Sequence, residues 1–253
     1  MKKIALAQMH IDYENAENNI STARDMLDLA ANKHCDCIVF PELWSTGFRL
    51  ENHQDFSIIN WSLLEELQSF SDRNDLEIIG SYLMQRDKNY YNEFVALCPH
   101  LNPFSYEKIN LFPTLQEPVY LIPGNTTRIF ESKLGCCGAS ICFDLRFAWL
   151  YKELAQKGAQ FLIIPAHWPI ARIHHWDVLI QARAIETLSF VIAVNSVGKS
   201  GNDAFGGHST VISPDGEVIF QANKSTEGIF IVEIDPTLVQ SVRDKHSFYP
   251  KII

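Results

Sequence analysis

Four short apolar runs constrain this chain more than any other feature: Ile4-Ala5-Leu6-Ala7, Cys37-Ile38-Val39-Phe40, Phe161-Leu162-Ile163-Ile164 and Phe190-Val191-Ile192-Ala193-Val194. Each is too short for a buried helix and lacks the alternation of a half-exposed strand. That is the pattern of strands covered on both faces, and Pro41 and Pro165 stop two of them. Stretches with helical spacing lie between them: 15–33 with Ile20, Ala23, Leu27 and Ala30, a second carrying Ile59, Leu63, Leu67 and Phe70, then 147–157 and 176–187. With 76–80 as a further strand, the first 80 residues read β-α-β-α-β. Short strand-like segments follow at 90–97 and within 127–141. The last third is strand-rich at 209–212, 218–220 and 229–234, with Ser213-Pro214-Asp215-Gly216 supplying the chemistry of a hairpin turn. Mixed order with hairpins argues for sheets covered by helices on one face, not for a purely doubly wound sheet.

At 253 residues, with no Gly/Ser/Pro-rich linker, composition break or repeat, the chain is expected to be one domain over 1–253. Hydrophobic residues at 47% and charged residues at 20% are ordinary globular usage and exclude whole-chain disorder. A formal charge of -9, with no basic run longer than Lys2-Lys3, disfavours a nucleic-acid surface, which needs clustered positive charge, and no nucleic-acid partner is expected. The six cysteines at 35, 37, 98, 136, 137 and 142 form no C-x-x-C pair, so they read as reduced thiols and not as a metal site. With no signal-peptide h-region and no 18-residue apolar run, the expectation is a cytoplasmic protein without membrane contact.

Polar residues just beyond buried strands are site candidates, because a rigid strand fixes the backbone while the loop presents the side chain. Glu42 follows Val39-Phe40-Pro41; Lys108 lies in Tyr106-Glu107-Lys108-Ile109-Asn110-Leu111-Phe112; Cys142 lies in Ile141-Cys142-Phe143-Asp144-Leu145-Arg146-Phe147. Alone, each has an ordinary reading as a loop carboxylate, a solvated lysine or a packed core thiol. Together they would supply a proton carrier, a cation for an oxyanion and a nucleophile.

In these contexts the sequence resembles the carbon-nitrogen hydrolase (nitrilase) superfamily along nearly its whole length. The likeness continues through Glu117, through Gln181-Ala182-Arg183-Ala184-Ile185-Glu186, and through Gly207-His208-Ser209-Thr210-Val211-Ile212-Ser213-Pro214-Asp215-Gly216. It implies an α/β fold, a four-layer α-β-β-α sandwich of the nitrilase/CN-hydrolase type, with subunits that pair through their helical faces into a homodimer or higher oligomer. It also implies a Glu42-Lys108-Cys142 triad, with Glu117 either orienting Lys108 or substrate or forming a structural ion pair. Two positions depart from the family: Asn110 stands where members often have histidine, and Phe143 where they often have tyrosine.

The implied reaction is amide hydrolysis through a thioester, with the backbone N–H of Phe143 joining Lys108 at the oxyanion and no cofactor or metal required. The sequence given ends at residue 253, short of the long tail of true nitrilases, which favours a small-substrate amidase. Pro165-Ala166-His167-Trp168-Pro169 resembles the omega-amidases, which hydrolyse monoamides of dicarboxylic acids such as 2-oxoglutaramate. Arg146 and Arg172 could hold a substrate carboxylate, although a structural use of Arg146 is open, and His167 and Trp168 become pocket walls or packing residues. Three rivals stay open: an N-carbamoyl amidohydrolase of the same family, a papain-like Cys-His enzyme, and a non-catalytic binding module on this fold.

Overall fold

A computed structural model describes residues 1–201 and 203–246. Strand β1 (Lys2–Gln8) leads through helix α1 (Ala16–Asn32), β2 (Cys37–Val39) and helix α2 (His53–Asn74) into β3 (Glu77–Arg86). The chain then turns back twice, through β4 (Asn89–Leu97) and β5 (Phe104–Glu107), and passes the short helix α3 (Glu117–Tyr120). A second β-α-β-α-β unit follows a leading strand: β6 (Ile129–Ser132), then β7 (Gly135–Ala139), α4 (Ala148–Gln156), β8 (Phe161–Ala166), α5 (Ile173–Thr187) and β9 (Phe190–Asn195). A hairpin of β10 (Val197–Ser200) and β11 (Asp203–Gly206) precedes β12 (Thr210–Ile212), β13 (Val218–Gln221), β14 (Gly228–Ile234) and helix α6 (Leu238–Lys245).

Two six-stranded mixed sheets result, ordered β14-β1-β2-β3-β4-β5 and β13-β12-β9-β8-β7-β6. Each has three parallel strands at its centre, because a helix carries the chain back between them, and antiparallel strands outside. Side-chain alternation sorts the layers. In the first sheet Ile4, Leu6, Val39 and Ile79 face the second sheet and pack with Cys137, Ala139 and Ile163. Ala5, Ala7, Ile38 and Ile78 point the other way, onto Ala23, Leu27 and Ala30 of α1 and Leu63, Leu64 and Leu67 of α2. Leu150 and Leu154 of α4 and Trp176, Ile180 and Ala184 of α5 pack on the second sheet. Burying each such side chain stabilises the fold by about 1.5–3 kcal/mol.

The apolar runs located the parallel centres, while the edges were less legible. Helix α2 begins at His53, before the first apolar repeat at Ile59, and β3 continues to Arg86 through Ser81 and Gln85, which interrupt its apolar pattern. Strands β5, β10 and β11 are four residues each, too short for a periodic signal, and α6 buries only Val239 and Val242.

Candidate active site

Glu42, Lys108 and Cys142 stand just past the ends of β2, β5 and β7, and the fold brings all three to one pocket. The C-terminal ends of parallel strands are a common place for a ligand, since loops there diverge. The loop carrying Glu42 is held tightly. Trp44, fully buried, stacks on Phe40 at 4.7 Å and meets Tyr82 edge-on at 5.6 Å. A Cβ at Gly80 would lie 2.9 Å from the Trp44 indole nitrogen, so the glycine makes room for that ring. The Leu43 N–H donates to Ser81 Oγ at 3.0 Å, and the Glu42 N–H to the Ala166 carbonyl at 3.3 Å, which ties the loop to the second sheet.

At the pocket floor Lys108 Nζ lies 2.7 Å from Glu42 Oε1 and 2.7 Å from Glu117 Oε2. Asn92 of β4 donates its amide to both carboxylates, at 2.8 and 3.0 Å, and the Phe112 N–H donates to Glu117. All four side chains are buried, so each charge needs these partners to remain ionised. Burial works against the Lys108 ammonium, but Glu117 and Glu42 outweigh it and hold its pKa above the ordinary lysine range. Burial raises the Glu42 carboxyl, with Lys108 opposing and Glu117 adding to the rise. An ammonium has three donors; Glu42 and Glu117 take two, which leaves one free in a side chain that lines the pocket.

Cys142 begins a 3-10 turn, Cys142–Arg146, with φ at +42°, a left-handed conformation that costs about 1–3 kcal/mol for a side-chain-bearing residue. Asp144 holds this elbow. Its Oδ2 accepts from the Ile141 N–H at 3.0 Å and the Tyr106 hydroxyl at 2.8 Å, while Oδ1 accepts from the N–H and amide of Asn110 at 2.9 and 2.8 Å. Asn110 thus fills with an amide the supporting position where family members often carry histidine. The Cys142 thiol reaches the Glu42 carboxylate, and its pKa is pushed well above the usual thiol value by burial and by Glu42, with Lys108 opposing. Both causes favour the protonated thiol over the thiolate. The Phe143 N–H is at the second position of the turn, in its first three residues, where a backbone donor has no partner within the turn.

The pocket is a narrow cavity of about 20 Å³, on the scale of a single water molecule. His167 and Trp168, just past β8, form one wall. The His167 ring stacks on Phe205 at 3.4 Å and on Phe48 at 5.3 Å, its Nε2 meets the Tyr13 hydroxyl at 2.6 Å, and its Nδ1 meets Ser196 Oγ. Burial holds this imidazole neutral, so His167 presents a ring to the pocket, and its backbone N–H donates to Glu42 Oε2 at 3.2 Å. Arg146 lies 4.9 Å over the Trp168 ring and Arg172 5.4 Å over Phe112. Both arginines line the mouth, and neither is ion-paired to a carboxylate among the described residues. Phe143 contributes its ring, 5.0 Å from Phe112.

Every residue singled out in the sequence reaches this site. Those missed are its supports: Asn92, Asp144, Tyr106, Tyr13 and Ser196. Asp144 had a signal, as a carboxylate two residues past the thiol in a strand-to-turn segment, where it can cap the turn. Asn92 had none, since it sits inside β4 and is matched to the carboxylates only by tertiary pairing.

The chain belongs to the carbon-nitrogen hydrolase family, whose model matches residues 3–244. It is 32% identical over 244 residues to the 2-oxoglutaramate amidase of Bacillus subtilis (strain 168), covering 95% of this chain and 93% of that protein. It is 30% identical over 260 residues to the hydrolase in agr operon of Staphylococcus aureus, covering 99% and 97%. Among solved structures, XC1258 from Xanthomonas campestris, a CN-hydrolase superfamily protein, matches with a TM-score of 0.89 at 24% identity, over 99% of this chain and 96% of that one. The sandwich expected from the sequence is the fold these likenesses share. No helix among the described residues is long and apolar enough to cross a membrane.

Proposed function

We propose that this hydrolase is a cysteine amidase that releases ammonia from a small dicarboxylic acid monoamide such as 2-oxoglutaramate. The observation that carries the reading is the pair of arginines at the mouth, without carboxylate partners, opposite a thiol, a carboxylate and an ammonium at the floor. A substrate with a carboxylate at one end and a neutral amide at the other matches both ends of that pocket. Similarity to the 2-oxoglutaramate amidase supports the same class.

In this reading Glu42 takes the thiol proton as Cys142 sulfur bonds to the amide carbon. The carbonyl oxygen becomes an oxyanion facing the third Lys108 donor and the Phe143 N–H. Glu42 passes the proton to the amide nitrogen, the C–N bond breaks and ammonia leaves a thioester. Water then attacks the thioester carbon as Glu42 takes its proton; the C–S bond breaks, and Glu42 returns the proton to the sulfur. One amide and one water give one acid and one ammonia. Glu117 and Asn92 act by holding Lys108 and Glu42, and each oxyanion donor is worth about 10²- to 10³-fold in rate.

The six unpaired thiols support a reducing, cytoplasmic setting. Exposed Trp149 on α4 and Val178 and Ile185 on α5 support pairing of two copies through that helical face. The test is ammonia release from 2-oxoglutaramate, succinamate, glutamine, N-carbamoyl amino acids and simple nitriles, beside Cys142→Ala. Turnover of the monoamides, lost in the variant, is the expected result. Silence on them from folded protein, or carbon dioxide released with ammonia from a carbamoyl substrate alone, would overturn it.

A further inference from the structure

One polar contact at the pocket mouth has no part in the mechanism above. Arg146 Nη2 lies 3.2 Å from Nδ1 of His175. A guanidinium only donates, so Nδ1 presents its lone pair and the ring proton resides on Nε2. His175 stands in the first turn of α5, directly after the turn that carries Arg172, so one helix start sets the position of both. Arg146 and Arg172 repel one another: burial first, and then Arg172, lower the Arg146 pKa. Something must hold Arg146 at the mouth against that repulsion. A carboxylate would do so but would neutralise the charge, whereas the Trp168 face and a neutral imidazole hold it and leave the charge available.

We propose that His175 is a positioning residue for Arg146, a neutral acceptor that aims the guanidinium at the carboxylate of the substrate. This rests on the reading that Arg146 receives that carboxylate. Asparagine places its Oδ1 where histidine has Nδ1, whereas glutamine places its oxygen where histidine has Nε2, so the two variants separate the atoms.

The experiment is steady-state hydrolysis of succinamate by the full chain, with thermal midpoints recorded for each variant. His175→Ala is expected to raise KM about 3- to 10-fold with kcat within about twofold. His175→Asn should return KM to about the original value, and His175→Gln should not. Arg146→Ala should raise KM by about tenfold or more. An unchanged KM in His175→Ala beside a raised KM in Arg146→Ala would overturn this inference alone. An unchanged KM in Arg146→Ala would overturn the carboxylate reading beneath it. A fall in kcat at constant KM, or asparagine behaving like alanine, would make His175 merely structural.

Discussion

Glu117→Gln removes one of the two carboxylates on Lys108 while keeping its shape. At 2.7 Å and an effective dielectric of about 20, a unit-charge pair carries about 6 kcal/mol of Coulomb energy. Relief from burying the charge and the remaining amide hydrogen bonds offset much of it, and Lys108 keeps Glu42 as a partner. A net loss of about 2–3 kcal/mol follows, which for a chain of this size lowers the thermal midpoint by about 4–12 °C. The catalytic consequence has a definite sign. Burial raises the Glu42 carboxyl most and Glu117 adds to the rise against Lys108, so without the Glu117 charge the Glu42 pKa falls from its raised value. In the proposed mechanism the base is ionised Glu42, so the acid limb of kcat/KM is expected to move to lower pH. On the plateau kcat should drop about 10- to 100-fold, because the base is weaker and Lys108 has lost a tether. Ammonia release from succinamate across about pH 4 to pH 9 reads both effects. An acid limb that stays in place, or moves upward, would refute the charge argument even if activity falls.

Glu42→Gln keeps the shape and one acceptor oxygen, so it can answer the Asn92 amide or the His167 N–H but not both, and it cannot carry a proton; kcat should fall about 10²- to 10⁴-fold with the fold intact by circular dichroism. In the unmodified enzyme the acid limb of kcat/KM should lie above the ordinary glutamate value, since burial raises Glu42; a limb at or below that value in a pH–rate profile would contradict it. Asp144→Ala leaves donors from Ile141, Tyr106 and Asn110 unanswered, so denaturant unfolding should show a loss of about 3 kcal/mol or more. Succinate, measured as a product inhibitor, should have a Ki above the KM for succinamate, because its second carboxylate would meet Glu42 and Glu117 at the floor.

How far the sequence could be read depended on whether a residue acts through local context. Cys37-Ile38-Val39-Phe40 and Phe161-Leu162-Ile163-Ile164 announce parallel strands because burial on both faces removes every polar residue, and Glu42 and His167 gain their places from the strand ends that follow. Lys108 was legible only by its motif, since β5 before it is four residues long. Asn92 and Tyr13 were not legible at all. Asn92 is followed in β4 by Glu93, equally polar and buried but paired elsewhere, with Arg86, and Tyr13 reaches His167 across 154 residues of chain. Such pairings are written in the tertiary register, and no spacing in the sequence encodes them. Arg146 and Arg172 could be suspected as anion ligands from sequence, but their position at a common mouth, without carboxylate partners among the described residues, is visible only in the fold.

The same geometry weighs against the rival in which histidine activates the thiol. His167 is the imidazole on the pocket wall, yet its nitrogens face the Tyr13 and Ser196 hydroxyls, and burial holds it neutral. As a base it would have to become an imidazolium between two phenylalanine rings, the form that its surroundings most disfavour. Glu42 meets the opposite condition. Its charge is already balanced by Lys108, and raising its pKa brings it closer to that of the group it must serve. In the proposed mechanism a thiol protonated at rest also keeps the proton the departing nitrogen needs. A thiolate whose proton had been lost to solvent, with Glu42 ionised as well, would make attack easier but would leave the amide nitrogen without a nearby acid. With an unactivated amide, expulsion of the nitrogen is the harder half, and a carboxylate beside a protonated thiol supplies the proton to it.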